Sequence, residues 1–249
     1  LLGYAIAVHH NGNLTGEIAK NKTQSDTLSL MDDIVTPSDP LEKIAGVLQN
    51  NDGAYSMVFL TPDMLIAARD PHGYRPLSLG IVDGSYVVSS ESCAIRDIGG
   101  DLIRDINPGE FLAISSQGLV SEFMDFNSDL HECIFELIYL ARQDSIVFGQ
   151  SAYNFRKECS KKLARNNPND RKIADMVVSL PSAGDIFALG YASEIGLPYE
   201  QGIFRNHYYP GRAFIKPEQS LREIAIDLKL RVVEEVVRGQ RIAVVDEIG

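Results

Sequence analysis

Tryptophan is absent from the 249 residues, and only three cysteines occur. No stretch approaches the roughly eighteen consecutive apolar residues a membrane-spanning helix needs, so no membrane span is read. The start, LLGYAIAVHH, lacks a basic leader followed by a cleavage site, and no secretion signal is read there. Cys93, Cys133 and Cys159 are an odd set without metal-ligand spacing, which suits the cytoplasm or an organelle with a reducing interior. Positive charge is also short: 23 Lys and Arg against 34 Asp and Glu leave a net charge of -11, which argues against a general nucleic-acid binder. Residues 201–249 are the exception, with eight Lys and Arg against seven Asp and Glu, a nearly neutral field that a phosphorylated ligand can approach.

What is present is 45% hydrophobic content, enough for real cores in one large domain or two ordinary ones. The most organised stretch is 220–249. Leu221, Ile224, Ala225, Leu228, Val232 and Val236 make one apolar stripe at helical spacing, Ser220 with Glu223 gives a capping box, and Gly239 is the stop. Ile242 to Val245 then reads as a strand buried in a parallel sheet, with Asp246 and Glu247 at its carboxyl end, where open α/β sheets bind ligands.

Earlier in the chain, residues 3–8 read as a strand running into His9-His10-Asn11-Gly12-Asn13, where Asn-Gly signals a turn. A helix starts at Ser25 or Asp26, and a second covers 41–48. From Ala54 the period changes to short strands in an antiparallel meander, ending with a hairpin over 110–123. The polar stretch FNSDLH, 126–131, is the expected domain boundary. Beyond it come a helix over 151–164, a buried strand over 176–180, the loop 181–185, a helix over 186–195 and strand candidates over 197–202 and 211–215, the βαβ order of a parallel sheet.

The chemistry open to these residues is specific in kind. Asn11 and Gly12 can offer a side-chain and a backbone N–H to an oxyanion, and Asp26 can hold an ammonium group or serve only as a helix cap. Ser182, Ala183, Gly184 and Asp185 form a glycine-containing loop before a helix, which holds phosphate or is a plain turn. Asp246 and Glu247 can accept from a ribose diol or contact the hydration shell of Mg²⁺. Arg205 and Arg212 offer planar cationic forks to phosphate. No cysteine is credibly placed as a nucleophile.

The stretches GYAIAVHHNGNLTG (3–16), SDT (25–27), DGAYSMVFL (52–60), LIAARDPHGYRPLSLG (65–80), VVSSESCAI (87–95), INPGEFLAIS (106–115), ECIFELIYLARQDSIVFG (132–149), ALGYASEIGLPYEQG (188–202), GRAFIKPEQSLRE (211–223) and GQRIAVVDEIG (239–249) span nearly the whole chain. In content and order the sequence resembles the glutamine phosphoribosylpyrophosphate amidotransferases. The resemblance implies a glutaminase domain over 1–126, an α+β four-layer sandwich of the N-terminal-nucleophile hydrolase type. An α/β phosphoribosyltransferase domain with a parallel sheet is implied over 127–249. It implies that Asn11 and Gly12 are oxyanion donors, that Asp26 holds the α-amino group of glutamine, and that 182–185 is the pyrophosphate loop. It further implies that 205–214, with Arg205 and Arg212, folds over phosphoribosylpyrophosphate, and that Asp246 and Glu247 begin the sugar-phosphate motif with Mg²⁺.

In that family a terminal cysteine thiol attacks the glutamine carboxamide, and the ammonia released attacks C1 of phosphoribosylpyrophosphate to give phosphoribosylamine for purine synthesis. Water must be kept out of that transfer. The implied partners are glutamine, phosphoribosylpyrophosphate and regulatory purine nucleotides, acting on a homotetramer. Some members hold a [4Fe-4S] cluster, for which Cys133 stands at one ligand position. The nucleophilic cysteine and an arginine-bearing segment are expected ahead of Leu1, and a phosphate cradle beyond Gly249. The spacing between Leu14 and Ser25 is shorter than the family's, PSAGD replaces Pro-Asp-Ser, and ARQDS replaces ARPDS. A reading of a different class, a catalytically inactive relative acting as a nucleotide-sensing or scaffold subunit, predicts binding without turnover.

Overall fold

The computed structural model describes residues 5–16, 24–34, 40–124, 129–208 and 218–247, and the chain forms two compact units, Leu1–Ser151 and Ala152–Gly249.

In the first unit β1 (Ala7–Leu14) leads to α1 (Asp26–Ile34) and α2 (Pro40–Gln49). Six strands follow, interrupted by one short helix: β2 (Gly53–Leu60), β3 (Met64–Arg69), β4 (Ser78–Val82), β5 (Ser85–Ser89), α3 (Ser92–Asp97), β6 (Asp101–Asp105) and β7 (Glu110–Ser115). They are completed by β8 (Gly118–Phe123). The expected single meander is in fact two antiparallel sheets, ordered β1-β2-β3-β7-β8 and β5-β4-β6. The chain leaves the first sheet after β3, builds the second, and returns with β7. Alternation decides which faces meet. Tyr55, Met57, Phe59, Ile66, Ala68 and Phe111 pack on Leu30, Ile34, Ile44 and Leu48 of the two helices. Ala67 and Leu112 meet Leu79, with Leu77 and Ile106, between the two sheets. On the far side of the second sheet Gly80 lies so close to Ile95 of α3 that a Cβ there would come within 2.6 Å of its Cγ2. The order is helices, sheet, sheet, helix.

The polar Asn11-Gly12 signal is overruled. Asn11 and Gly12 lie inside β1, opposite Ser56 and Tyr55 of β2, and not at a turn. Gly12 takes φ +151°, and a Cβ on it would lie 2.0 Å from the Ala54 carbonyl oxygen, so glycine is chosen here for close strand approach.

The RDPHGYRPL segment, 69–77, makes the passage between sheets. Arg69 is buried and its guanidinium donates to the carbonyls of Arg75 (2.8 Å), Ile106 (2.7 Å) and Gly73 (2.9 Å). Asp70, with no exposed surface, accepts from the N–H groups of His72 (3.0 Å), Tyr74 (3.2 Å) and Tyr55 (3.3 Å). A cation and an anion thus satisfy a buried loop that has no ladder of its own.

The compact units part after Ser151, whereas the polar stretch at 126–131 had suggested an earlier break. His131 and Cys133 donate backbone N–H to the carbonyls of His72 and Tyr74. Arg75 pairs with Glu136 at 2.7 Å, within a π-helical turn over Glu136–Leu140. Glu91 accepts from the Arg142 N–H and the Ser145 hydroxyl, each at 2.7 Å. The segment therefore packs with what precedes it, ending in the two-residue strands β9 (Ile146–Val147) and β10 (Gln150–Ser151).

The second unit opens with α4 (Ala152–Asn166) and α5 (Asp170–Ile173), then β11 (Met176–Ser179), α6 (Asp185–Ile195), β12 (Tyr199–Glu200) and β13 (Ile203–Arg205). It continues with α7 (Gln219–Lys229), β14 (Leu230–Val232), α8 (Glu234–Val237) and β15 (Ile242–Val245). β12, β11 and β15 form a parallel sheet in that order, on which α6 packs. The long helix expected from Ser220 ends instead at Lys229, because Leu230–Val232 pairs antiparallel with β13. Only Ala225 of its apolar stripe is buried, and Glu218, not Ser220, holds the cap position. The expected strand at 211–215 lies outside the described residues.

Candidate functional site

In the first unit Asn11 and Gly12 lie on β1, and Asp26 opens α1 beside the end of that strand. Ser25, just ahead of the helix, caps it by accepting from the Leu28 N–H at 3.3 Å. Asp26 is therefore relieved of capping. Its Oδ2 accepts from the Leu14 N–H at 2.9 Å and its Oδ1 from its neighbour's N–H, that of Thr27, at 2.8 Å, which ties the end of β1 to the start of α1. Burial pushes the Asp26 carboxyl upward, but those two N–H groups and His10 more than offset it and hold the carboxyl below its usual range. An anion with lone pairs to spare is what an ammonium group requires. Asn11 is half-buried two positions from Asn13, and Gly12 leaves its backbone open for want of a side chain.

His10 is the residue that sequence reasoning passed over. Its Nδ1 lies 2.9 Å from the Thr27 hydroxyl and 3.9 Å from Asp26 Oδ2. The signal was there in the period of two, which puts His10 on the same side of β1 as the core residues Val8 and Leu14.

Neither Cys93 nor Cys159 is an activated thiol: burial pushes both upward, away from the thiolate. Cys133 is half-buried. Among the described residues no group of three His, Cys, Asp or Glu is arranged to hold a metal ion, so the cluster expectation rests on Cys133 alone.

In the second unit the chain turns from β11 to α6 through 180–184. Asp185 belongs to the helix, not the loop, and its Oδ1 accepts from the Ser179 hydroxyl at 2.6 Å, at the end of the helix dipole that favours an anion. Ser182 is exposed, Ala183 half-buried and Gly184 buried. A Cβ on Gly184 would lie 2.7 Å from the carbonyl oxygens of both Leu180 and Val245 and 3.1 Å from Asp246 Cα. The loop thus rests directly on the end of β15, where the Leu180 N–H also bonds the Val245 carbonyl at 2.9 Å. Sequence separation hid this neighbourhood, and parallel pairing creates it.

A cleft of about 290 Å³ opens beside the loop, lined by Pro181, Ser182, Asp185, Gln201, Arg205 and His207 among others. Arg205 is exposed at the end of β13, a strand position where a loop was expected. Arg212 lies outside the described residues.

Asp246 and Glu247 follow β15, and the Glu247 N–H donates to Asp246 Oδ1 at 2.9 Å. Glu247 Oε2 is buried without a partner. Its carboxyl is pushed up to about 7, by burial first and by Asp246 next. A carboxyl with a raised folded value binds its proton more tightly folded than unfolded, so its stabilisation is complete below the unfolded value and is lost as pH rises toward 7. Replacing it, Glu247→Gln, is expected to raise the thermal midpoint above that of the unsubstituted protein near pH 8 and to leave it unchanged near pH 4. Unfolding scans at the two pH values check this; parallel midpoints would mean the carboxyl titrates as it does in water.

No protein-family model matches the chain. Curated relatives and solved structures do. The chain is 41% identical to the amidophosphoribosyltransferase of Archaeoglobus fulgidus across 98% of this chain and 56% of that protein. With the Mycobacterium tuberculosis H37Rv amidophosphoribosyltransferase it shares 40% across 98% and 49%. It superposes on the glutamine phosphoribosylpyrophosphate amidotransferase of B. subtilis, solved with ADP and GMP, with a TM-score of 0.87 at 35% identity, over 99% of this chain and 56% of that one. A second solved structure, the allosteric regulatory enzyme of purine biosynthesis, gives 0.85 at 36% identity, over 97% and 54%. The chain spans about half the length of the relatives it matches. Over the length it spans, in sequence and in fold, it belongs to the amidophosphoribosyltransferases.

Proposed function

We propose that the chain carries the glutamine-binding and the sugar-pyrophosphate-binding parts of an amidophosphoribosyltransferase, which frees ammonia from glutamine and transfers it to C1 of 5-phosphoribosyl-1-pyrophosphate. The first unit, with its helix, sheet, sheet and helix layers, is read as a glutaminase of the N-terminal-nucleophile hydrolase type, and the second as the phosphoribosyltransferase. The observation that supports this reading is the bond that ties a depressed Asp26 carboxylate at the start of α1 to Leu14, at the end of the strand that carries Asn11 and Gly12.

At that junction Asp26 binds the α-ammonium of glutamine. The Asn11 side-chain amide and the Gly12 N–H receive the oxygen of the carboxamide as it becomes tetrahedral. On the family likeness the attacking thiol is that of a terminal cysteine, and burial pushes the thiols of Cys93 and Cys159 away from the thiolate. The enzyme's base takes the thiol proton, the sulfur bonds to the carboxamide carbon, and the C–N bond breaks as the protonated base returns that proton to the departing nitrogen, which leaves as ammonia.

In the second unit the N–H groups of the loop 182–185 and the start of α6 hold pyrophosphate, Arg205 and Arg212 neutralise it, and Asp246 with Glu247 accepts from the ribose hydroxyls. The same two carboxyls fit Mg²⁺, because among the described residues Glu247 leaves an oxygen buried and unpaired, and burial with the neighbouring Asp246 carboxyl favours its proton over a bare charge. Mg²⁺, when bound with the substrate, offsets charge on the departing pyrophosphate. Exclusion of water keeps ammonia unprotonated and leaves C1 to it. Control by purine nucleotides and a homotetrameric assembly are proposed on the same family likeness. No helix among the described residues is long and apolar enough to cross a membrane.

The test is glutamine hydrolysis by the full-length polypeptide that contains this chain. Hydrolysis that rises on adding phosphoribosylpyrophosphate is expected. Binding of the sugar pyrophosphate with no hydrolysis of glutamine would overturn the reading in favour of a nucleotide-sensing relative.

A further inference from the structure

β1 sends Val8 and Leu14 into the core beneath α1 and α2, and His10 stands between them on the same face. Its side chain is 4% exposed. Its strand partner is Met57, which is uncharged and fully buried. An aliphatic side chain would fill this place at no polar cost, yet the sequence spends an imidazole on it and leaves Nε2 buried with no partner. The other nitrogen is engaged. Nδ1 meets the Thr27 hydroxyl at 2.9 Å, and that hydroxyl lies 3.4 Å from Asp26 Oδ1.

We propose that His10 is a positioning residue for glutamine: acting through Thr27, it fixes the Asp26 carboxylate in the orientation that receives the substrate's α-ammonium group, and as a neutral ring it leaves that charge to the substrate. The inference rests on the assignment of Asp26 made above. The Thr27 hydroxyl has one hydrogen. If that hydrogen goes to Asp26, the hydroxyl oxygen accepts from Nδ1–H, and the chain runs His10 to Thr27 to Asp26 with Nε2 as a bare acceptor. This tautomer gives all three groups a compatible bond. The alternative hands the hydroxyl hydrogen to Nδ1, which removes a donor from the carboxylate and buries an N–H instead.

The titratable group facing the ring is Asp26 from α1, with His9 acting on it electrostatically from the next position of its own strand; β2 presents Met57. Burial is the largest influence and lowers the pKa of His10 below its ordinary value, Asp26 opposes this, and His9 adds to it. The ring is therefore neutral at neutral pH. Protonating it would set a cation 3.9 Å from Asp26, where it competes with the substrate's own.

The experiment compares the full-length polypeptide with its His10→Phe and His10→Asn forms, reading kcat and KM for glutamine hydrolysis at saturating phosphoribosylpyrophosphate. His10→Phe is expected to raise KM for glutamine roughly tenfold or more while kcat changes by less than about threefold. In His10→Asn the side-chain amide nitrogen stands where Nδ1 did, and KM is expected to return to within about threefold of the original. In the unsubstituted enzyme KM should climb on the acid side, as pH falls below the ordinary histidine range, a limb that His10→Asn should lack. If His10→Phe fails to fold, the pH limb in His10→Asn decides alone. An unchanged KM in His10→Phe, or an acid limb that survives in His10→Asn, overturns the role of His10 while glutamine hydrolysis by the unsubstituted enzyme still stands. Absence of hydrolysis in the unsubstituted enzyme overturns the assignment of Asp26, and this role with it.

Discussion

Gly12→Ala is expected to lower glutamine hydrolysis by roughly 10²–10³-fold, the usual cost of losing one oxyanion donor. The cause is geometric. A methyl at this position would lie 2.0 Å from the Ala54 carbonyl oxygen and 2.7 Å from Tyr55 Cα, both backbone atoms that cannot step aside alone. At φ +151° the L-residue is strained as well. β1 must lift from β2 just where Asn11 and Gly12 are proposed to offer their donors, and overpacking plus strain should cost stability on the order of 2–5 kcal/mol. Gly46 supplies the control. It sits in α2, where an added Cβ would meet nothing within 4 Å, so Gly46→Ala should leave activity intact and stabilise by about 0.5–1 kcal/mol. Unchanged kinetics in Gly12→Ala would show that the close strand approach is not what serves the substrate.

Arg69→Leu is expected to destabilise the first unit by about 3–5 kcal/mol, the range seen when a buried charge loses its partners. Three carbonyls, those of Gly73, Arg75 and Ile106, share one guanidinium in a place from which water is excluded. Each loses its donor with the substitution, and Asp70 beside it, whose carboxyl burial already pushes upward against three backbone N–H groups, loses the further opposing charge of Arg69. Arg69→Lys should recover only part of the loss, because an ammonium cannot present three fixed N–H directions to three separated acceptors. Thermal unfolding measures both, with an expected fall of ~10 °C for the leucine form. A midpoint within about 1 °C of the original would mean that the passage between the sheets is held by something else.

These two positions show what the sequence could and could not disclose. The RDPHGYRPL segment was legible as specific because its residue types are unusual together, and the structure supplies the cause: a buried loop satisfied by an arginine and an aspartate. The strands from Gly53 to Phe123 were legible from alternation, but not their division into two sheets. That division depends on which strand meets β7, a pairing between segments far apart in the chain. Asn11-Gly12 misled for a related reason. Turn propensity is local, and the pairing with β2 overrides it along the whole of β1. The stripe from Leu221 to Val236 likewise satisfied a helical period, yet Leu230–Val232 is claimed by β13, a competitor that no local count includes. At the second site, Ser182–Asp185 and Asp246–Glu247 were each visible as chemistry. Their meeting was not, since three helices and four strands separate them along the chain.

That meeting has a mechanical meaning. Gly184 is pressed against the Val245 carbonyl and Leu180 is bonded to it, so the turn proposed to hold an anion and the acidic strand end are joined directly. The distance between them is then a fixed gauge, set by parallel strand spacing before any ligand arrives. A molecule carrying its phosphates and its hydroxyls at that separation is measured against it, and one built longer or shorter can satisfy only one jaw at a time.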